Sequence, residues 1–414
     1  MEQWQRTLLV AAVAQTFSIL GFSFVVPFLP LYVQQLGIHG AADVTFWAAM
    51  LTGSSAISMA FLAPIWGVLA DRHGRKIMVV RAAFSAAIII GLMGLVTSVW
   101  QLLALRILQG MFTGTVSAFQ ALVSSQSPKD RLGFSLGVMQ TAIFVGNSVG
   151  PLAGGFVAEL VGFRMSFGVG GALLFTCAAL VMTLIHEDMS VRHPTEERPP
   201  FLKGMTEVLR YPALLSMIGA IFVVEFAITQ VFPILPQFVQ LLQGNQGHAA
   251  AVTGLILAGA GAAGALSSTV IGWFSDRTGH KSILVTAAAL ACLISIPQFF
   301  VQTSWQLGVL RVADGFCLGA MLPSASAMLA GLVPPERRAT AYGLAGSANS
   351  VGVAAGPLTT AAIVAVVGIR AVFLSAAVML AFIAVWVSTM VHIHQAEASE
   401  QRTIDPARTR EQPA

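Results

Sequence analysis

An all-α membrane protein with 12 transmembrane helices in two pseudo-symmetric six-helix bundles is predicted by three observations: composition, the number of long apolar segments, and an internal repeat. The 414 residues are 56% hydrophobic and 10% charged. A soluble globule carries about a quarter charged residues, so this chain requires a membrane solvent. A span takes about 20 mostly apolar residues. Segments of that kind lie at 7–31, 46–69, 78–98, 101–123, 134–158 and 165–186, and again at 213–236, 250–273, 283–301, 306–330, 339–364 and 368–391. The first follows Met1 to Arg6 without a small-residue cleavage site, so it reads as a retained helix, not a secretory signal.

The polar stretch 187–212, with Glu187, Asp188, Arg192, Glu196, Glu197, Arg198, Pro199 and Pro200, reads as a cytoplasmic linker between an N-terminal bundle, 1–186, and a C-terminal bundle, 213–391. Residues 392–414 are expected to form a disordered cytoplasmic tail.

The repeat is explicit. Pro27-Phe-Leu-Pro30 returns as Pro233-Ile-Leu-Pro236, Gly67-Val-Leu-Ala-Asp71-Arg72 as Gly272-Trp-Phe-Ser-Asp276-Arg277, Gly150-Pro151 as Gly356-Pro357, and Gly162-Phe-Arg164 as Gly368-Ile-Arg370. The offset is 205 or 206 residues (276 minus 71, 233 minus 27). A parallel duplication of six spans places a pseudo-twofold axis along the membrane normal and a cavity between the halves.

Charge sets the expected orientation. With a cytoplasmic amino terminus, every Lys and Arg falls on the inner side except Arg164 and Arg370 outside and Arg106 and Arg311 within spans. The positive-inside rule then puts both termini in the cytoplasm. These cations are scattered over short loops, which argues against nucleic acid as a partner. Cys177, Cys292 and Cys317 sit in apolar stretches without paired spacing, so neither a disulfide framework nor a metal site is expected.

In Gly67 to Lys76, Gly74 can supply the positive φ of a tight turn, Asp71 can end the preceding helix, and Arg72, Arg75 and Lys76 follow as a basic cluster. Such a cluster can serve topology alone. Gly137, Gly146, Gly150, Pro151, Gly154 and Gly155 put a smooth face on the fifth span, which permits close helix approach, and Pro151 bends it. The second-half copy, Gly343, Gly352, Gly356-Pro357-Leu-Thr359-Thr360, lacks the terminal glycine pair.

These two stretches, with Val26-Pro-Phe-Leu-Pro-Leu-Tyr-Val-Gln-Gln-Leu-Gly37 and Leu102-Leu-Ala-Leu-Arg106-Ile-Leu-Gln109-Gly110, resemble the major facilitator superfamily over nearly the whole chain. The glycine pattern of the fifth span is similar to the antiporter motif of its 12-span drug:proton antiporter branch. That resemblance implies a proton-coupled multidrug exporter working by alternating access. It also implies that Gly67, Asp71, Arg72, Gly74, Arg75, Asp276 and Arg277 form a gate latch, through attraction of a carboxylate to a helix amino terminus. Arg106 would take part in proton transfer; a structural ion pair or snorkelling remains open for it.

Glu225 belongs to no family motif. It falls near the middle of the seventh span with Thr229 one turn along, and a carboxyl there can alternate between protonated and ionised states or meet a cationic drug. A permanently neutral acid, or a partner of Arg106 or Arg311, is the other reading. Arg311 and Asp314, three apart, can pair within their helix, with proton relay as Asp314's second role. Gln120, Gln140, Asn147, Phe144, Phe226, Thr229 and Gln230 are candidates for the substrate cavity.

No cofactor is expected, the proton gradient being the energy source. The expected partners are a small-molecule substrate, protons and the lipid bilayer, for a monomer in a bacterial inner membrane. The alternatives are export or flipping of an endogenous metabolite or lipid, and proton-coupled import. An intramembrane enzyme is disfavoured, because the spans hold no paired acids, His-Glu-x-x-His pair or nucleophile with a base.

Overall fold

A computed structural model describes residues 2–128, 131–186, 212–244, 248–332 and 338–404. Among them, twelve helices are long and apolar enough to cross a membrane, and no strand occurs. The first span is broken into α1 (Gln3–Ser23) and α2 (Leu29–Gln35), and the seventh likewise into α9 (Pro212–Gln230) and α10 (Leu235–Gln243). The repeated Pro-x-x-Pro causes both breaks. Pro27 and Pro233 lie in the interruptions, while Pro30 and Pro236 sit in the first turns of α2 and α10, where the missing N–H has no partner to lose.

The remaining first-half helices are α3 (Ala41–His73), α4 (Arg75–Met93), α5 (Val99–Phe112), α6 (Thr115–Gln126), α7 (Leu132–Val161) and α8 (Phe163–Leu184). In the second half they are α11 (Ala249–Thr278), α12 (His280–Gln298), α13 (Ser304–Gly331), α14 (Arg338–Val366) and α15 (Ala371–Ile404). The fourth span is split into α5 and α6 at Gly114, whose φ of 113° is left-handed, whereas its counterpart α13 is continuous. Helix α3 passes through Asp71 to His73 before Gly74, at φ 98°, turns the chain directly into α4. Helix α15 continues to Ile404 instead of ending at residue 391; Ala396, Glu397, Glu400 and Arg402 are good helix formers. The linker, 187–211, and residues 405–414 lie outside the described residues.

Within the first half, α1 packs on α7 and α8, and α4 on α8. The halves meet most extensively where α7 packs on α11 and α3 on α14. Small residues allow the close crossings: a Cβ on Gly110 would strike the Ser55 carbonyl, and one on its repeat counterpart Gly315 would strike the Ala260 carbonyl. Each half buries two apolar clusters. One set, around Phe28, Tyr32 and Phe167 and around Phe238 and Phe373, lies toward the end remote from the chain termini. The other set lies toward the terminal end, around Leu8 and Phe119 and around Met217 and Met321. The outer surface is apolar as well: Phe61, Leu160 and Val366 are 77%, 82% and 85% exposed. In water such a surface would drive aggregation; against lipid it costs nothing.

Candidate functional site

The antiporter-type glycines serve two partners. Gly146, Gly150 and Gly154 face α1, where an added Cβ would collide with Ile19, the Ser23 hydroxyl and the Phe24 carbonyl respectively. Gly155 faces the other half, against the Ala250 carbonyl of α11, and the Pro151 carbonyl in turn meets Gly254 of α11. Among the described residues, nothing lies within 4 Å of a notional Cβ on Gly137. The four contacting glycines thus hold α7 in a slot between α1 and α11.

The second half repeats the scaffold bond by bond. Ser23 Oγ donates to the Gly146 carbonyl at 3.1 Å, and Thr229 Oγ1, 206 residues on, donates to the Gly352 carbonyl at 3.3 Å. Thr229 Oγ1 also donates to the Glu225 carbonyl at 2.7 Å. Its hydroxyl is therefore buried in the packing of α9 on α14 and is not offered to a cavity. Gln230 is 1% exposed, and its Oε1 accepts from Ser375 Oγ at 2.6 Å while its carbonyl accepts from Thr360. In this structure both side chains are thus engaged with neighbouring helices. Gln120, Gln140 and Asn147 are exposed, and Phe144 and Phe226 are half-buried, with Phe226 against Phe222 at 5.8 Å between ring centroids.

Glu225 is half-buried on α9 and is hydrogen-bonded to the side chain of Asn349 on α14. It forms no ion pair among the described residues. Neither Arg106 nor Arg311 is its partner. Arg106 Nη1 donates to Gln109 Oε1 at 3.2 Å, with its Nε buried and unpartnered. Arg311 Nη1 donates to Asp314 Oδ2 at 2.7 Å, and both side chains are buried. Gln298 adds a longer contact to the same oxygen, at 3.5 Å. The two halves therefore place arginine at equivalent positions, matched by an amide in one half and an acid in the other.

Of the latch residues, Gly67, Asp71, Arg72, Asp276 and Arg277 have side chains outside the described residues. Arg75 Nη1 donates to the Ala121 carbonyl of α6 at 3.1 Å, so it braces the first half internally.

At the remote end the halves are directly bonded, which sequence reasoning missed. Gln34 Nε2 donates to Gln240 Oε1 at 3.0 Å, and Gln237 Nε2 donates to Thr45 Oγ1 at 3.1 Å. Glu159, at the end of α7, accepts from the Ala251 backbone N–H at 2.8 Å and lies 3.0 Å from His248 Nδ1. A shallow cavity there is lined by Gln34, Glu159, Gln240 and Gln243. An acid four residues past the glycine pair was the available signal. No group of three or more His, Cys, Asp or Glu able to hold a metal occurs among the described residues.

The Major Facilitator Superfamily model matches residues 11–252 and 239–412. The chain is 36% identical over 384 residues to the multidrug resistance protein MdtG of Citrobacter koseri, covering 92% of this chain and 94% of that one. It is 35% identical to MdtG of Escherichia fergusonii, over 92% and 93% of the two chains. Among solved structures, it is similar to a bacterial homolog of the human lysosomal transporter Spinster, with a TM-score of 0.77 at 16% identity, covering 94% of this chain and 96% of that chain. The nucleoside transporter NupG gives 0.73 at 16% identity, over 94% and 99%. At those identities the solved structures speak to the fold alone.

Proposed function

The chain belongs to the Major Facilitator Superfamily, whose members are membrane transporters and not enzymes, and we propose that this protein is a proton-coupled exporter of amphipathic or cationic small molecules. The names of its MdtG relatives support the substrate class. One observation carries the coupling: Glu225 is a mid-span carboxyl held by an amide, Asn349, and not by a cation. An acid whose charge is already cancelled by a guanidinium, as Asp314's is, has little reason to exchange a proton. Glu225 has that freedom, and it sits on α9, which ends at Gln230 just before the break at Pro233. Alternating access would present it first to one side, where it gains a proton, then to the other, where a cation displaces that proton. In this reading both termini are cytoplasmic, the membrane is the bacterial inner membrane, the protein acts as a monomer, and the remote end is external.

The test is substrate-dependent proton flux in proteoliposomes with an acidic lumen, with ethidium as the probe. Wild type should release luminal protons as ethidium accumulates, and Glu225→Gln should abolish that coupled flux. Unchanged flux in Glu225→Gln removes the assignment. Uptake into right-side-out vesicles driven by an inward proton gradient would make the protein an importer.

A further inference from the structure

We propose that Glu159 is the external gate residue: its carboxylate holds the halves together at the remote end, and its protonation from outside releases them. The inference rests on the alternating-access reading above. Three observations carry it.

The first is geometry across the interface. Glu159 Oε1 accepts from the Ala251 N–H at 2.8 Å, in the first turn of α11, and Oε2 lies 3.0 Å from His248 Nδ1. The first N–H groups of a helix have no intrahelical acceptor and carry its positive dipole end. The acceptor here comes from the opposite half, so the bond exists only while α7 and α11 are together at this end.

The second is access. Glu159 is 19% exposed by side chain and His248 73%, so a proton arriving from the external solution reaches the carboxylate without crossing the protein. Protonation places a hydrogen on one carboxylate oxygen. The Ala251 N–H then faces a weakened acceptor, and the 3.0 Å contact of Oε2 with His248 Nδ1 loses its carboxylate charge.

The third is asymmetry. By the repeat offset, 206 residues in α7 and 205 in α3, the counterparts of Glu159 and Ala251 are Ala365 and Phe46, and Ala365 has no carboxylate with which to form this contact. On the α3 side, Thr45 instead accepts from the neutral Gln237 of α10. Inheritance from the duplicated scaffold therefore does not account for Glu159.

The charged and titratable groups around it are few. The cavity beside it is otherwise lined by the neutral Gln34, Gln240 and Gln243. From α8, Arg164 is turned to the Val96 carbonyl; Arg370, before α15, is turned to the Phe299 carbonyl; from α2, Tyr32 donates to the Met93 carbonyl. His248 alone faces the carboxylate as a titratable partner among the described residues. Its own protonation strengthens the pair, so the opening with acid comes from Glu159.

The test uses the full chain in lipid nanodiscs, with Cys177, Cys292 and Cys317 replaced by alanine and spin labels at Leu95→Cys and Phe300→Cys. These are exposed, repeat-related positions at the remote end of the two halves. Wild type should show one short interspin distance at neutral pH and a growing longer population on acidification. Glu159→Gln should show the longer population already at neutral pH and no response to acid, and His248→Asn should retain the acid response. A structural role alone would alter stability without removing the pH response. A single short distance in Glu159→Gln at neutral pH, or a wild-type acid response in that variant, overturns the proposal. If Glu159→Gln fails to purify as a folded species, cross-linking of Gln34→Cys with Gln240→Cys in native membranes decides instead: because acid slows all thiolate chemistry, its rate is divided at each pH by the alkylation rate of the single exposed Leu95→Cys, and that ratio should fall several-fold with acid, whereas a ratio independent of pH overturns the proposal. Neither measurement needs substrate or a gradient, so failure here leaves the Glu225 flux experiment untouched.

Discussion

Gln34 and Gln240 are hydrogen-bonded side chain to side chain at 3.0 Å, and they are repeat mates, 206 residues apart. Residues related by a twofold touch only where they straddle the axis, so the pseudo-twofold axis passes between these amides. Parting of the halves at this end must break the contact. A disulfide between Gln34→Cys and Gln240→Cys, with the native cysteines replaced, should reduce ethidium transport to background when oxidised and restore it on reduction.

The glycines of α7 are unequal despite belonging to one motif. A Cβ on Gly155 meets the Ala250 backbone carbonyl, which cannot rotate away, whereas Gly137 has open space. Gly155→Ala should destabilise the protein by about 1–3 kcal/mol, as overpacking does, and should lower transport. Gly137→Ala should be neutral or stabilising by up to about 1 kcal/mol, because alanine is the better helix former. Thermal unfolding of both variants in detergent checks the contrast.

Arg311 and Asp314 form a buried pair within α13. Asp314→Asn or Arg311→Met alone should cost about 3–5 kcal/mol by stranding the remaining charge. Replacing both, as Arg311→Met with Asp314→Leu, should recover most of that loss. A double-mutant cycle on unfolding free energies measures the coupling.

Arg81 lies 3.3 Å from the Trp66 ring centroid, with its Nε and Nη1 buried and without hydrogen-bond partners, while Trp66 Nε1 donates to the Met111 carbonyl at 2.7 Å. Trp66→Phe should remove the hydrogen bond at about 0.5–1.5 kcal/mol and keep an aromatic face. Trp66→Leu should cost up to about 2 kcal/mol more, since the cation–π contact is lost as well. The difference between the two melting curves isolates that contact.

The span count and the duplication were legible because both rest on one-dimensional properties: apolar run length, and recurrence of Pro-x-x-Pro and Gly-Pro at a fixed offset. The Arg311–Asp314 pair could be read too, since residues three apart on a helix share a face. Thr229 and Gln230 could not be placed. A polar side chain one turn from Glu225 reads as cavity-facing from spacing, and the hydrogen bonds that both residues make to α14 and α15 in this structure depend on the rotation of α9, which spacing does not give. Asn349 and Glu159 were missed for the same cause, since their partners lie 124 (349 minus 225) and 92 residues away in the chain.

By itself, then, the sequence determined the solvent, the number of spans, the twofold repeat and the family, because length and composition decide what a bilayer accepts. Tertiary structure decided which polar groups are spent on holding helices together and which remain available for chemistry. Lipid-facing, partner-facing and cavity-facing sides of a membrane helix share one apolar alphabet. Only the rotation of each helix against its neighbours sets Thr229, hydrogen-bonded to Gly352, apart from Glu225, which has no cationic partner among the described residues, and brings Glu159 to the amino terminus of a helix in the other half.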